Sequence, residues 1–262
     1  MRILLTNDDG IYAPGLAAME RVLQTLGEVM VVAPATEQSG VGHSITFLQP
    51  LTCKEIYDQQ RRRGWAVDGS PADCVKLAVH EICPHRPDLV ISGINGGLNA
   101  GINVLYSGTV AAAIEGAFFG ITSLAVSLEY DEHADFDSAA HLALGVIRQI
   151  LAYPDHAGKL FNVNIPTVAI QNPRGVRAVP MCVRARGEGY IRRKDPKGRT
   201  YFWSSPDPQP TMGERETDLT ALLQGYVTVT PLQYDMTRFA MLDELQRWPW
   251  QVVRGESKTA SS

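Results

Sequence analysis

The chain has 262 residues, 45% hydrophobic and 20% charged, enough to bury one large core or one domain with an appendage. A formal net charge of -4 argues against wholesale attraction to nucleic acid or an anionic membrane, so a small or specific partner is expected. No run is apolar enough to span a bilayer or to act as a secretory leader, and Cys53, Cys74, Cys83 and Cys182 form no Cys-x-x-Cys pair. Neither a disulfide framework nor a zinc cluster is indicated, and a reducing cytoplasm is the simplest address.

Up to about residue 130, short β-branched runs alternate with longer amphipathic stretches, the pattern of β-α-β units on a parallel sheet. Strands are expected over 2–6, 29–33, 88–92 and 123–127. Between the first two, Leu16, Met19, Val22, Leu23 and Leu26 recur at helical spacing over 15–27, with Pro14 suited to the first turn and Gly27 expected as the stop. Further helices are expected over 72–83, with Asp73 serving its N-terminal end, over the Ala-rich stretch 109–119, and over 137–152. A strand over 161–165 follows, ended by Pro166.

Beyond about residue 170 the pattern loosens. The basic residues Arg184, Arg186, Arg192, Arg193, Lys194, Lys197 and Arg199 face only Glu188 and Asp195, which reads as a solvated hairpin or arm rather than a nucleic-acid patch. Thr217 or Asp218 caps a short helix ending at Gly225, a strand over 226–230 precedes Pro231, and 256–262 reads as a polar tail.

In an open parallel sheet, ligands bind outside the carboxyl ends of the strands, near the point where strand order reverses. That rule gathers three separated segments at one edge: Asp8 and Asp9 after the first strand, Ser39 and Gly40 after the second, and Asn95 to Asn99 after the third. Each has an ordinary explanation alone, since Asn-Asp-Asp-Gly is a common turn and Ser39 and Asn95 suit loops. Together they offer carboxylate, hydroxyl and carboxamide oxygens, a set suited to one Mg²⁺, Mn²⁺ or Ca²⁺ ion. Gly10 allows the turn that lets adjacent Asp8 and Asp9 converge.

Tyr106-Ser107-Gly108-Thr109 opens into the Ala-rich helix, whose unpaired N–H groups favour an anion such as phosphate; the simpler reading is that Ser107 or Thr109 merely caps it. Gly40-Val41-Gly42-His43 lacks the Gly-Lys-Ser/Thr of a Walker A loop. A cation held by acids beside an anion-binding helix start describes phosphoester hydrolysis, in which the ion polarises a phosphoryl oxygen and Asp8 or Asp9 orients or deprotonates water. His43 is better read as loop surface than as a catalytic acid. The competing class is a module that holds a nucleotide without turnover. The acid pair discriminates, because two carboxylates repel phosphate unless a cation intervenes.

At this point the chain resembles the SurE, or survival protein E, family of metal-dependent nucleotidases. The matching segments are Asn7-Asp8-Asp9-Gly10, Ser39-Gly40-Val41-Gly42-His43-Ser44-Ile45-Thr46, Gly69-Ser70-Pro71-Ala72-Asp73-Cys74-Val75, the run from Pro87 to Asn99, and the run from Tyr106 to Gly116. Asn162-Val163-Asn164-Ile165-Pro166, Thr217-Asp218 and Gly225-Tyr226-Val227 are similar later in the chain. Where the family usually has Gly-Thr-Pro-Ala-Asp, Ser70 keeps the hydroxyl.

The resemblance implies an α/β, Rossmann-like, mostly parallel sheet flanked by helices. It implies a core over 1–180 and a C-terminal extension over 181–262 that carries an arm and makes a homodimer or homotetramer. It also implies release of phosphate from nucleoside 5′-monophosphates, with 3′-nucleotides and short polyphosphate as further substrates. Carried over by motif, Asp8, Asp9, Ser39 and Asn95 are the metal ligands, and Asn99, Ser107, Gly108 and Thr109 lie where the phosphate sits.

Overall fold

The computed structural model describes residues 1–183, 189–204 and 215–252, and falls into two compact units, 1–232 and 233–262. In the first unit the opening strand β1 (Arg2–Thr6) is central, its apolar residues buried on both faces as a parallel strand requires. α1 (Pro14–Leu23) follows, with proline in its first turn and Leu16, Met19, Val22 and Leu23 in the core. Gly27 is not its stop. The helix ends four residues earlier, and Gly27 is small because a Cβ there would stand 1.9 Å from the Met1 carbonyl oxygen.

Next come β2 (Glu28–Pro34) and an antiparallel hairpin, β3 (Cys53–Asp58) and β4 (Arg61–Val67), absent from the sequence expectation. The hairpin carries Lys54, Glu55, Asp58, Arg62 and Arg63, and β3 is an edge strand, so its apolar signal is diluted by charge. α2 (Pro71–Leu77) starts at a capping box: Ser70 Oγ accepts from the Asp73 N–H, and the Asp73 carboxylate accepts from the Ser70 N–H. The expected helix over 72–83 is thus α2 followed by a π-helical turn, Ala78–Ile82.

β5 (Leu89–Gly96), a 3-10 turn (Gly101–Leu105), α3 (Gly108–Phe118), β6 (Thr122–Leu128), α4 (Phe136–Ala152) and β7 (Leu160–Ile165) complete the α/β alternation. Beyond them lie α5 (Val168–Gln171), β8 (Val176–Ala178), the hairpin β9 (Tyr190–Lys194) and β10 (Thr200–Ser204), α6 (Asp218–Leu223) and β11 (Val227–Leu232). The described part of the basic segment is therefore a hairpin, as expected, while Arg184 and Arg186 lie outside the described residues, as does the tail 256–262. Pro231 lies inside β11 rather than after it. β8 pairs only with residues 227–229, so the strand is unpaired on that side at Pro231, where a missing N–H costs little.

The main sheet runs β3-β4-β2-β1-β5-β6-β7-β11-β8, with β4, β2, β1, β5, β6 and β7 parallel. α1 and α4 cover one face through the large core around Leu5, Leu16, Met19, Ile91 and Val126, and α2 and α3 cover the other. The chain leaves β1 toward β2 on one side and later returns to β5 on the other. Strand order therefore reverses between β1 and β5, and the crevice opens at their carboxyl ends.

The second unit contains α7 (Phe239–Arg247), which has no buried residue, and its Trp250 indole N–H donates to the Leu245 carbonyl. Among the described residues no helix is long and apolar enough to cross a membrane.

Candidate metal and phosphate site

The turn after β1 is built by Asn7. Its side-chain NH₂ donates to the Gly10 carbonyl at 2.9 Å and its Oδ1 accepts from the Gly10 N–H at 3.2 Å. Gly10 sits at φ +100°, a region closed to most side chains, and this reversal brings both adjacent acids to the crevice.

Asp8 is 6% exposed and points at the start of α3. Its Oδ1 accepts from the Thr109 hydroxyl at 2.6 Å and its Oδ2 from the Thr109 N–H at 3.1 Å. Burial pushes its carboxyl above the usual range, and the Thr109 bonds oppose that shift. Asp9 reaches across the switch point, its Oδ2 accepting at 3.4 Å from the N–H of Gly96 at the end of β5. Burial first, then the neighbouring Asp8 charge, push Asp9 up to about 6. Among the described residues no lysine or arginine forms an ion pair with either acid. The pair is a pocket of uncompensated negative charge.

Backbone contacts bring the segments that carry the other candidate residues to the same rim. The Gln38 N–H donates to the Asp8 carbonyl at 2.8 Å, which sets Ser39 beside the acids; Ser39 is exposed and its hydroxyl donates to Glu37. Asn95 precedes the Gly96 that bonds Asp9, and its Nδ2 donates to the Gly97 carbonyl at 2.7 Å, leaving its Oδ1 on the opposite branch. Ser107 caps α3, its Oγ accepting from the Val110 N–H at 3.1 Å. Asn99 is buried at the same edge, with its side-chain NH₂ bonded to Ser127 at 2.9 Å.

His43 stands apart from these groups. Its Nε2 lies 2.9 Å from the Glu115 carboxylate two turns along α3, and its ring stacks on Phe118 with centroids 5.3 Å apart. Together with the Gly42 N–H on the Tyr106 carbonyl and the Thr46 N–H and hydroxyl on Asp73, it pins the loop that carries Ser39. These anchors were not assigned from the sequence. Glu115, Asp73 and Ser70 are buried polar groups in otherwise apolar helix starts and faces, and that was the available signal.

No group of three His, Cys, Asp or Glu side chains able to hold a metal occurs among the described residues. The donor set here is instead two acids with a hydroxyl and a carboxamide, all hard oxygens, which fits Mg²⁺, Mn²⁺ or Ca²⁺ and not a soft-metal centre.

The chain is similar to known proteins over most of its length. The family model described as Survival protein SurE matches residues 3–188. A protein from Rhodopirellula baltica named 5'-nucleotidase SurE is 56% identical over 252 residues, covering 95% of this chain and 98% of that one. A second of that name from Desulforudis audaxviator is 43% identical over 254 residues, covering 95% and 98%. The crystal structure of the SurE protein from Aquifex aeolicus superposes with a TM-score of 0.82 at 38% identity, covering 94% of this chain and 98% of that one. The chain belongs to the SurE family.

Proposed function

We propose that this chain is a divalent-metal-dependent 5′-nucleotidase, with Asp8, Asp9, Ser39 and Asn95 holding one Mg²⁺, Mn²⁺ or Ca²⁺ ion and Ser107, Gly108, Thr109 and Asn99 standing on the phosphate side. The observation that carries the reading is the Asp8 and Asp9 couple at the switch point, without a cationic partner among the described residues, Asp8 bonded at the amino end of α3 and Asp9 raised to about 6. Two carboxylates beside an anion site repel a phosphate monoester, and a bound cation reverses that sign. When bound, the ion supplies Lewis acidity at a phosphoryl oxygen. Asp8, clamped by both donors of Thr109, is the fixed partner of the pair; Asp9, with one long bond, is free to orient or accept a proton from the attacking water. The relatives named 5'-nucleotidase SurE support the substrate class.

The chain's core over 1–180 carries every one of these residues. A homodimer or homotetramer, assembled through the extension over 181–262, and a cytoplasmic setting complete the proposal. The test is a phosphate-release panel over purine and pyrimidine 5′-monophosphates, with 3′-monophosphates and short polyphosphate alongside, in EDTA and after Mg²⁺ or Mn²⁺ is restored. Release from 5′-monophosphates with metal and none in EDTA is expected. An Asp9→Asn variant that folds yet keeps wild-type turnover would refute the assignment.

A further inference from the structure

Asn99 is held to the sheet by side chains rather than by the strand ladder. β5 ends at Gly96, so the next residues have left the ladder and their backbone groups need other partners. At Asn99 the side chain of Asn164 takes that place. Its Oδ1 accepts from the Asn99 N–H at 2.9 Å and its Nδ2 donates to the Asn99 carbonyl at 3.1 Å, a two-bond grip like that of a neighbouring strand. Asn162 donates to the same carbonyl at 2.7 Å, and Ser127 accepts from the Asn99 carboxamide.

These three residues share one face of the sheet. Ser127 on β6 is registered with Asn164 on β7, and Asn162 lies two residues from Asn164. β11 sets Thr228 and Thr230 opposite Asn164 and Asn162. Both asparagines are 0% exposed, in a strand whose other face carries Val163 in the main core. Burying carboxamides costs free energy that valine or isoleucine at these positions would not. That cost points to a geometric role. The gripped residue lies between Asn95, on the metal side, and Ser107, on the phosphate side. Two residues on, the Gly101 N–H donates to the buried Asp218 at 2.7 Å, so the segment is clamped twice.

We propose that Asn164, assisted by Asn162 and Ser127, is a positioning residue that fixes the Asn95 to Asn99 segment in the geometry required to bind metal and nucleotide phosphate together. This rests on the nucleotidase reading above. Asn164 touches neither ligand and acts through the Asn99 backbone.

The test compares Asn164→Ala with Val163→Ala, which removes core volume from the opposite face of the same strand. Both are assayed well below their melting temperatures for KM toward a nucleoside 5′-monophosphate, and both are titrated calorimetrically with Mn²⁺ alone. Asn164→Ala is expected to raise KM and weaken Mn²⁺ binding about tenfold, the usual scale for groups that orient ligands from behind, whereas Val163→Ala lowers the melting temperature and leaves both constants in place. If Asn164→Ala only melts earlier, with KM and the Mn²⁺ constant unchanged, the positioning role is wrong. Absence of metal-dependent release from the wild type overturns the nucleotidase reading itself, and with it this inference, without reference to either variant.

Discussion

Gly108 faces the carboxylate of Asp8 with no room for a side chain: a Cβ on Gly108 would stand 2.9 Å from Asp8 Cβ, 3.1 Å from its Oδ2 and 3.1 Å from Pro71 Cγ. The first turn of α3 is therefore drawn against the acid, and this approach allows Thr109 to bond both of its oxygens. A methyl group must push the helix start or the carboxylate by several tenths of an ångström. A displacement of about 1 Å at reacting groups can cost roughly 100-fold in rate, and a part of that loss is expected here. Gly108→Ala is expected to lose most turnover at saturating metal while its far-ultraviolet circular dichroism stays that of the wild type; a variant with full kcat would show that the contact is slack.

The raised carboxyl of Asp9 gives a pH dependence whose sign is fixed. Its folded value, about 6, lies above the ordinary aspartate value of 3.8, so the metal-free protein gains stability from this group below the unfolded value and loses it as pH rises through about 6. A cation that replaces the proton restores what is lost. The melting-temperature increase caused by Mn²⁺ should therefore be small at pH 5 and grow through pH 6 to a plateau above pH 7. In Asp9→Asn, which cannot ionise there, the increase should be smaller and should lack the step near pH 6 that Asp9 contributes. Differential scanning fluorimetry in matched buffers measures both, and a wild-type increase independent of pH contradicts the account.

His43 tests whether a histidine near a phosphate site is an acid or an anchor. Its Nε2 is engaged by Glu115, and the ring is stacked on Phe118. The structure makes it a latch on the Ser39 loop, so His43→Ala should raise the metal concentration for half activation several-fold and leave kcat at saturating metal within about threefold of wild type. General acids typically contribute about 10²–10⁴-fold. A drop of that size at saturating metal, with loss of the alkaline limb of the kcat profile, would instead make His43 the proton donor.

The parts of this fold that were legible in the sequence are those where one physical signal dominates. Leu4, Val32, Val90 and Leu124 sit in strands buried on both faces, and such strands read as unbroken apolar runs. The meeting of the β1, β2 and β5 ends at one edge was legible because the switch-point rule converts chain position into spatial position, and it is on that ground that Asp8, Asp9, Ser39 and Asn95 are proposed as ligands. The β3-β4 hairpin was not legible, since the exposed charges of Lys54, Glu55 and Arg62 interrupt its apolar signal. Nor was the grip on Asn99. Asn162 and Asn164 alternate with Val163 and Ile165 in a period that looks like a half-solvated strand, whereas both are buried and answered by a loop more than sixty residues away. Periodicity reports which residues share a face, and not what lies against it.

The β9-β10 hairpin gives the last prediction. Among the described residues its strands pair only with each other, and its register puts Tyr190 and Phe202 on one face and Ile191, Tyr201 and Trp203 on the other. Tyr190 is 77%, Phe202 58% and Trp203 63% exposed within the single chain. An isolated two-stranded hairpin is marginal in water, and apolar side chains on both of its faces cannot be covered by the hairpin itself. A second copy of the chain is the partner expected to cover them, since the proposed assembly supplies one at every interface. Phe202→Ser combined with Trp203→Ser should lower the mass measured by light scattering on a sizing column, and lower it further on dilution, while the far-ultraviolet spectrum stays that of the wild type. An assembly mass that the double variant leaves untouched would place the oligomer contact elsewhere in the chain.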